Sequence, residues 1–398
     1  MAVANTYSDL LPKLWYMAVE RVRLNSVMPR LVLNLSDNIA GTPGDKVSIP
    51  DQVTGVTRAV VHDINPVDPT NLTLTKTDLT LDNWREAPFT IDDKMAAEVV
   101  DGTVPRVWQS YSDALADYID QQIMAVYTGV YNCGAPDPIA DGTTPVDPAF
   151  AIDSTNNPTG FRAVGEAGTL LDQLGAPVSE RKVVLSPRDN WDASFLGPFL
   201  KANERGDTEG IRGRQIGFKI GMDWWMDQNI PTHTSGTLAR TATQTLTAGT
   251  GNVGDTSHTF SGTITTALTV AVGDIIKFNN HNQTYVNNTL VTSTTNALVV
   301  SSFSPALKVA VTSANSAEIL PSHKVNLMFH RDAIAFASRP FAGIGSNPYI
   351  FQGFDEVSGL NLRIEYQRQN KQDYISLDAL FGTKLRDAKL IGRIASAI

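Results

Sequence analysis

The feature that most constrains this chain is the block at 233–322, whose composition differs from everything on either side of it. Thr, Ser, Ala and Val dominate, charged residues nearly vanish, and short apolar runs alternate with Gly and Asn. Turn residues at that spacing predict an all-β module of short strands. VAVGDIIKFNNHNQTYV at 270–286 reads as a tight turn and a strand pair, and NALVVSSFSPAL at 296–307 as another strand. The flanking segments, ending at Pro231 and resuming at Val325, have ordinary globular composition. A module so placed is an insertion, and its ends must lie close together for the host domain to close.

With 398 residues the chain is too long for one compact core, and two or three domains are expected. Hydrophobic residues make up 42% and charged residues 18%, the balance of a folded protein. A formal net charge of −9 favours solubility and argues against wholesale nucleic-acid binding. Cys133 is the only cysteine, which excludes intramolecular disulfides and multi-cysteine zinc sites and fits a reducing compartment. No apolar run approaches the ~18 residues of a membrane span, so no membrane partner is expected. The start, MAVANTYSDLLPKLWYMAVERV, carries Lys13, Glu20 and Arg21 and lacks a signal peptide's apolar core. Without secretion, sequons such as Asn34, Asn71 and Asn282 carry no meaning.

Ahead of the insertion, Leu11, Leu14, Trp15, Ala18 and Val22 recur at helical spacing and predict a short amphipathic helix over 8–24. Strands are expected at 46–49 and 56–61, then a reversal through HDINPVDPTN at 62–71, then a return along LTLTKTDLTL at 72–81. Along that return Leu72 and Leu74 share one face while Leu79 and Leu81 fall on the other, which needs a bulge, a twist or a change of partner. The result is a long two-stranded ribbon with little apolar content, marginal unless something covers it. The longest helix is expected from 104 to about 131, on a stripe of Val107, Tyr111, Ala114, Leu115, Tyr118, Ile119, Gln122 and Val126. A loop at 134–160, a helix over 161–174 and a buried strand at 182–186 follow, with SPRDN as a turn. GPFLKANERGDTEGIRGRQIGFKIGMDWWMDQNIP at 197–231 predicts a short helix and a glycine-rich hairpin in which Trp224 and Trp225 face opposite sides. After FHRDAIAFASRPF at 329–341, two strands at 360–366 and 374–381 are joined by a polar turn at 369–373.

Motifs that would carry chemistry fail on context. GTGNVG at 249–254 matches a dinucleotide fingerprint, but DTSHTFSGT follows where a helix is required. His62, His233, His258, His281, His323 and His330 are scattered, with no metal-ligand spacing. Asp137, Asp141, Asp147 and Asp153 do not have calcium-loop spacing. No nucleophile elbow or phosphate loop is present. No enzyme activity, cofactor or metal is therefore expected. Lys384, Arg386, Lys389 and Arg393 near the end are candidates for facing nucleic acid, here DNA.

The ordered series of arm, ribbon, long helix, glycine-rich hairpin, insertion and closing strands resembles the major capsid proteins of tailed bacteriophages, the Hong Kong-97-type fold. The inserted β-module is similar to that of some short-tailed phage coat proteins. The resemblance implies an α+β fold with an N-terminal arm at 1–37 and an extended loop at 38–90. It implies a peripheral domain with a spine helix at 91–160, and axial segments at 161–232 and 323–350 around the inserted β-domain at 233–322. Closing strands and the C-terminus take 351–398. It further implies a homo-oligomer of pentamers and hexamers forming an icosahedral shell around double-stranded DNA, assembled in the host bacterial cytoplasm. A scaffolding protein, a portal protein at one vertex, a decoration protein and weak non-specific contact with DNA are the implied partners. The candidate intersubunit contacts are Asp207, Glu209, Arg212 and Arg214 in the axial hairpin, with Arg212 or Arg214 pairing to Asp207 or Glu209 of the next copy. Leu72, Leu74, Leu79 and Leu81 of the ribbon, and Leu14 and Trp15 of the arm, complete the set. An encapsulin-like nanocompartment shares the fold but usually lacks a large insertion. A phage tail or decoration protein would explain the Thr-rich module but not the long helix.

Overall fold

The computed structural model describes residues 7–36, 46–51, 75–93, 103–135, 162–196, 216–238, 246–264, 267–341 and 349–398. The chain divides into two compact units: Met1–Arg21, Asn34–Leu115 and Ala335–Arg386 form the first, and Val22–Leu33, Ala116–Ile334 and Asp387–Ile398 the second.

The first unit is built on a long antiparallel hairpin, Leu360–Gln369 with Gln372–Leu385. Both residues of its two-residue turn, Asn370 and Lys371, have positive φ, as a turn matched to the twist of paired strands requires. Asn83–Asp92 adds to the far side of the second strand over ten residue pairs. Ile350–Asp355, Ile334–Ser338 and Leu33–Asn34 complete a six-stranded sheet. Helix α1, Tyr7–Asn25, lays its apolar stripe of Leu11, Trp15, Ala18 and Val19 inward. The Trp15 indole donates to the Leu362 carbonyl at 3.1 Å and stands edge-on to Phe351. It lies so close to Gly353 that a Cβ there would be 2.5 Å from the ring. Helix α2, Thr103–Met124, presents Trp108 to Phe89, and its indole donates to the Leu14 carbonyl.

The buried face of α2 runs through Trp108, Ser112, Leu115, Ala116, Ile119, Asp120, Ile123 and Met124. The sequence stripe shares only Leu115 and Ile119 with it, and Ala114 is exposed. Two polar residues on the inner face, Ser112 and Asp120, are what turned that stripe away from the core.

Lys46–Pro50 pairs with Lys76–Thr80 over five positions, and the strand expected at 56–61 lies outside the described residues. The root of the ribbon does not wait for a neighbour. Ile49, Leu79 and Leu81 pack with Ala335 and Ala337 of this same chain.

In the second unit, the host sheet runs in the order Cys133–Gly134, Ile391–Ser396, His323–His330, Arg181–Leu185, Met222–Met226, Gly217–Lys219. Helix α3, Arg162–Gln173, buries Ala163, Val164, Ala167, Leu170 and Leu171. Gly134 sits against it so tightly that a Cβ would be 1.9 Å from the Ala163 carbonyl oxygen. The SPRDN segment is not a turn but opens helix α4, Pro187–Ser194. Ser186 caps it by accepting from the Asp189 amide, with proline in the first turn. Trp224 is buried and Trp225 is 40% exposed, on opposite faces as alternation demands.

Residues 246–319 contain a seven-stranded antiparallel sheet in the order Ala297–Val300, His258–Ser261, Leu246–Ala248, Ser316–Ile319, Ile275–Phe278, Thr284–Asn287, Phe303–Ser304. Leu238, Phe260, Phe278, Tyr285, Leu298 and Phe303 anchor a core drawn from residues 238–319. The single strand expected at 296–307 is two, Ala297–Val300 and Phe303–Ser304, which pair with different neighbours. The ingoing and outgoing ends meet: His233 pairs with His323, and Thr232 with Lys324, on the host sheet.

Candidate interaction surfaces

The contact residues expected from the sequence fall into three groups. Asp207, Glu209, Arg212 and Arg214, with Leu72 and Leu74, lie outside the described residues. Leu79, Leu81 and Trp15 are buried in the chain's own core rather than displayed. Leu14 is half-buried. Arg393, one of the expected DNA-facing cations, is also internal. It is fully buried, its guanidinium donates to the Gly273 carbonyl at 2.9 Å and stacks over Tyr127, and burial pulls its pKa down to about 10.

The surface that remains is apolar where the host sheet ends. Gly217–Lys219 is the last strand of that sheet among the described residues. It carries Phe218, 67% exposed, and leads into Ile220, held at φ +57° in the turn and 62% exposed. Trp225 and Met226 on the adjoining strand are also open to solvent. On α4, Trp191 and Phe195 stack at 5.8 Å, both exposed. Sequence reading placed a hairpin here and named its charges as candidate contacts; the exposed Phe218 and Ile220 in QIGFKIG were not among them.

Where the inserted segment meets its host, the junction is tight. Tyr131, Cys133, Ala135, Ile275, Val286, Leu320 and Ala395 form one apolar cluster across it. The Thr284 hydroxyl donates to the Tyr131 carbonyl at 2.6 Å and accepts from the Cys133 amide at 2.9 Å. Asp274 accepts from His233 Nε2 at 2.8 Å and from the Gly236 and Ala271 amides. His323 Nδ1 donates to the Pro321 carbonyl at 2.7 Å, and burial drives that imidazole's pKa down to about 3. Burial likewise pushes the Cys133 thiol up to about 11, which makes it a packing group. A cleft of about 450 Å³ between α3 and the Lys277–Thr284 edge is spanned by Glu166, which binds both Arg162 and Lys277. Among the described residues, no His, Cys, Asp and Glu group could hold a metal, and no helix is long and apolar enough to cross a membrane.

No protein-family model matches the chain, and neither does any curated protein. Among solved structures it is similar to the capsid of cyanophage P-SCSP1u, at 12% identity and a TM-score of 0.51, covering 94% of this chain and 88% of that one. Mycobacterium phage Che8 gives 15% identity and a TM-score of 0.49 over 93% and 90% of the two chains. A virus-like particle from Pyrococcus furiosus gives 9% identity and a TM-score of 0.41 over 97% and 99%. The similarity to the cyanophage capsid runs nearly the full length of both chains. The mixed helix-and-sheet fold of this chain is similar to that of the P-SCSP1u capsid.

Proposed function

We propose that this chain is the major capsid protein of a tailed bacteriophage, a structural subunit that closes with its own copies into pentamers and hexamers of an icosahedral shell around double-stranded DNA. The observation that carries the proposal is the fold shared with the P-SCSP1u capsid over 94% of the chain. The exposed apolar side chains of Phe218 and Ile220 support it, because such a patch is a liability in a free monomer and an asset in a subunit. The subunit works by packing and shape. Its partners on this reading are further copies, a scaffolding protein, a portal at one vertex, a decoration protein and loosely held DNA. Assembly takes place in the bacterial cytoplasm and the product resides in the virion.

Expression of the chain with size-exclusion chromatography and negative-stain imaging tests this directly. Closed shells are expected; fibres or a stable small oligomer would overturn it. A Phe218→Ser subunit should melt within about 0.5 kcal/mol of wild type, since the side chain is exposed, yet close into shells poorly. Normal shells from that variant would remove the edge from the interface.

A further inference from the structure

A pair of carboxyl groups in the second unit has no role in the packing described so far. Asp120 lies on the buried face of α2 and is fully buried; Asp227, just after the strand Met222–Met226, is 3% exposed. Asp120 already accepts three hydrogen bonds, from the Ser26 hydroxyl at 2.9 Å, the Val27 amide at 2.8 Å and the Met28 amide at 3.2 Å. Asp227 accepts from the Asn229 amide at 2.8 Å through one oxygen, and its other oxygen is buried with no donor. The two side chains are within hydrogen-bonding reach of each other. The third acid at this corner, Asp117, sits one turn earlier on α2 and binds Gln228 and Asn229 at 3.0 Å each. No ion pair to Asp120, Asp227 or Asp117 occurs among the described residues.

Two adjacent buried carboxylates without a cation cannot both stay ionised. The orphaned Asp227 oxygen lacks one donor, and a proton on its neighbour supplies it. We propose that Asp120 and Asp227 share one retained proton near neutral pH, and that this proton latches the Ser26–Met28 corner, α2 and the 227–229 turn together. The latch is a property of the subunit itself and stands whether or not the chain forms shells. Burial and the neighbouring carboxylate raise Asp120 to about 8, against 3.8 for the free group. Burial raises Asp227 as well.

The sign follows. A carboxyl whose pKa is raised by folding gives stability that is complete below pH 3.8 and is lost as pH climbs through about 8. Asp120→Asn keeps one oxygen to accept from Ser26 and Met28, gives up the Val27 bond, and its amide donates to Asp227 with no proton needed. The full-length, unassembled chain should therefore lose thermal stability as pH rises from 5 to 9, and Asp120→Asn should flatten that fall. Difference infrared spectroscopy at pH 7 gives a second readout that does not depend on a variant's stability. A protonated-carboxyl carbonyl band should be present in wild type and vanish as pH is taken above 8, and Asp227→Asn should shift or abolish it. A wild-type subunit with no such band at pH 7, or an Asp120→Asn variant with the full wild-type alkaline fall, would overturn the latch.

Discussion

The inserted segment and the ribbon are both long β excursions from the host, yet they solve the burial problem in opposite ways. The insertion folds around its own core: Phe260, Phe278, Tyr285 and Phe303 contact one another, and each is nearly or fully buried by residues of the same segment. Its two ends are zipped by a His233–His323 pair. The described strands of the ribbon, Lys46–Pro50 and Lys76–Thr80, bury Ile49, Leu79 and Leu81 against Ala335 and Ala337. A segment with enough large apolar residues can carry a domain of its own; a two-stranded pair must borrow.

The widest separation between the two should appear when each is cut free. A fragment spanning 230–324 should give a β-type circular dichroism spectrum and a cooperative melt, while a peptide spanning 46–80 should be unstructured. A random-coil fragment would erase the distinction. Point substitutions sharpen it. Phe260→Ala should cost about 3–5 kcal/mol, and limited proteolysis should find the loss confined to the insertion. Leu79→Ala should cost about 2–5 kcal/mol, but in the first unit, because the residue is fully buried against Ala335 and Ala337. Equal protease protection of both regions in both variants would show that the chain melts as one.

A smaller effect separates the regions by pH. His258 and His281 are buried in the insertion, and desolvation lowers the pKa of both. Groups held neutral by folding give stability that is complete above pH 6.5 and declines as pH falls below it. The insertion should thus weaken on acidification, whereas the Asp120–Asp227 corner weakens toward alkali. A 230–324 fragment bearing His258→Gln and His281→Gln should lose less melting temperature between pH 7 and 5 than the unaltered fragment. An identical acid response would assign the sensitivity elsewhere.

Much of this architecture was legible in the residues. Apolar spacing located α1 and α3 to within a position or two, while α2, expected to run to about 131, ends at Met124; the Thr- and Ser-rich stretch contains the seven-stranded sheet of 246–319. Asn370 and Lys371 sat within the expected turn because few residues but Gly and Asn tolerate positive φ readily. Helix α4 was missed although Ser186, Pro187 and Asp189 form a helix start; Pro and Asp also suit turns, and the local pattern does not decide between them. The stripe of α2 was rotated because Asp120 looked like a surface residue. Its partner Asp227 is more than a hundred positions away, and one-dimensional periodicity carries no information about a pairing that distant. The fate of Leu79 and Leu81 was hidden for the same reason: the strand that covers them comes some 250 residues later.

The paired ends at His233 and His323 also make the junction a splice point. Because Thr232–His233 is already laddered to His323–Lys324, the host strands would stay in register if the module were exchanged for another whose termini sit one strand-spacing apart. The exchange has one physical condition. A replacement must bring its own apolar side chains to where Ile275, Val286 and Leu320 now lie, or Tyr131 and Cys133 will face water. Chimaeras built to that rule would carry foreign β-modules on an unchanged subunit.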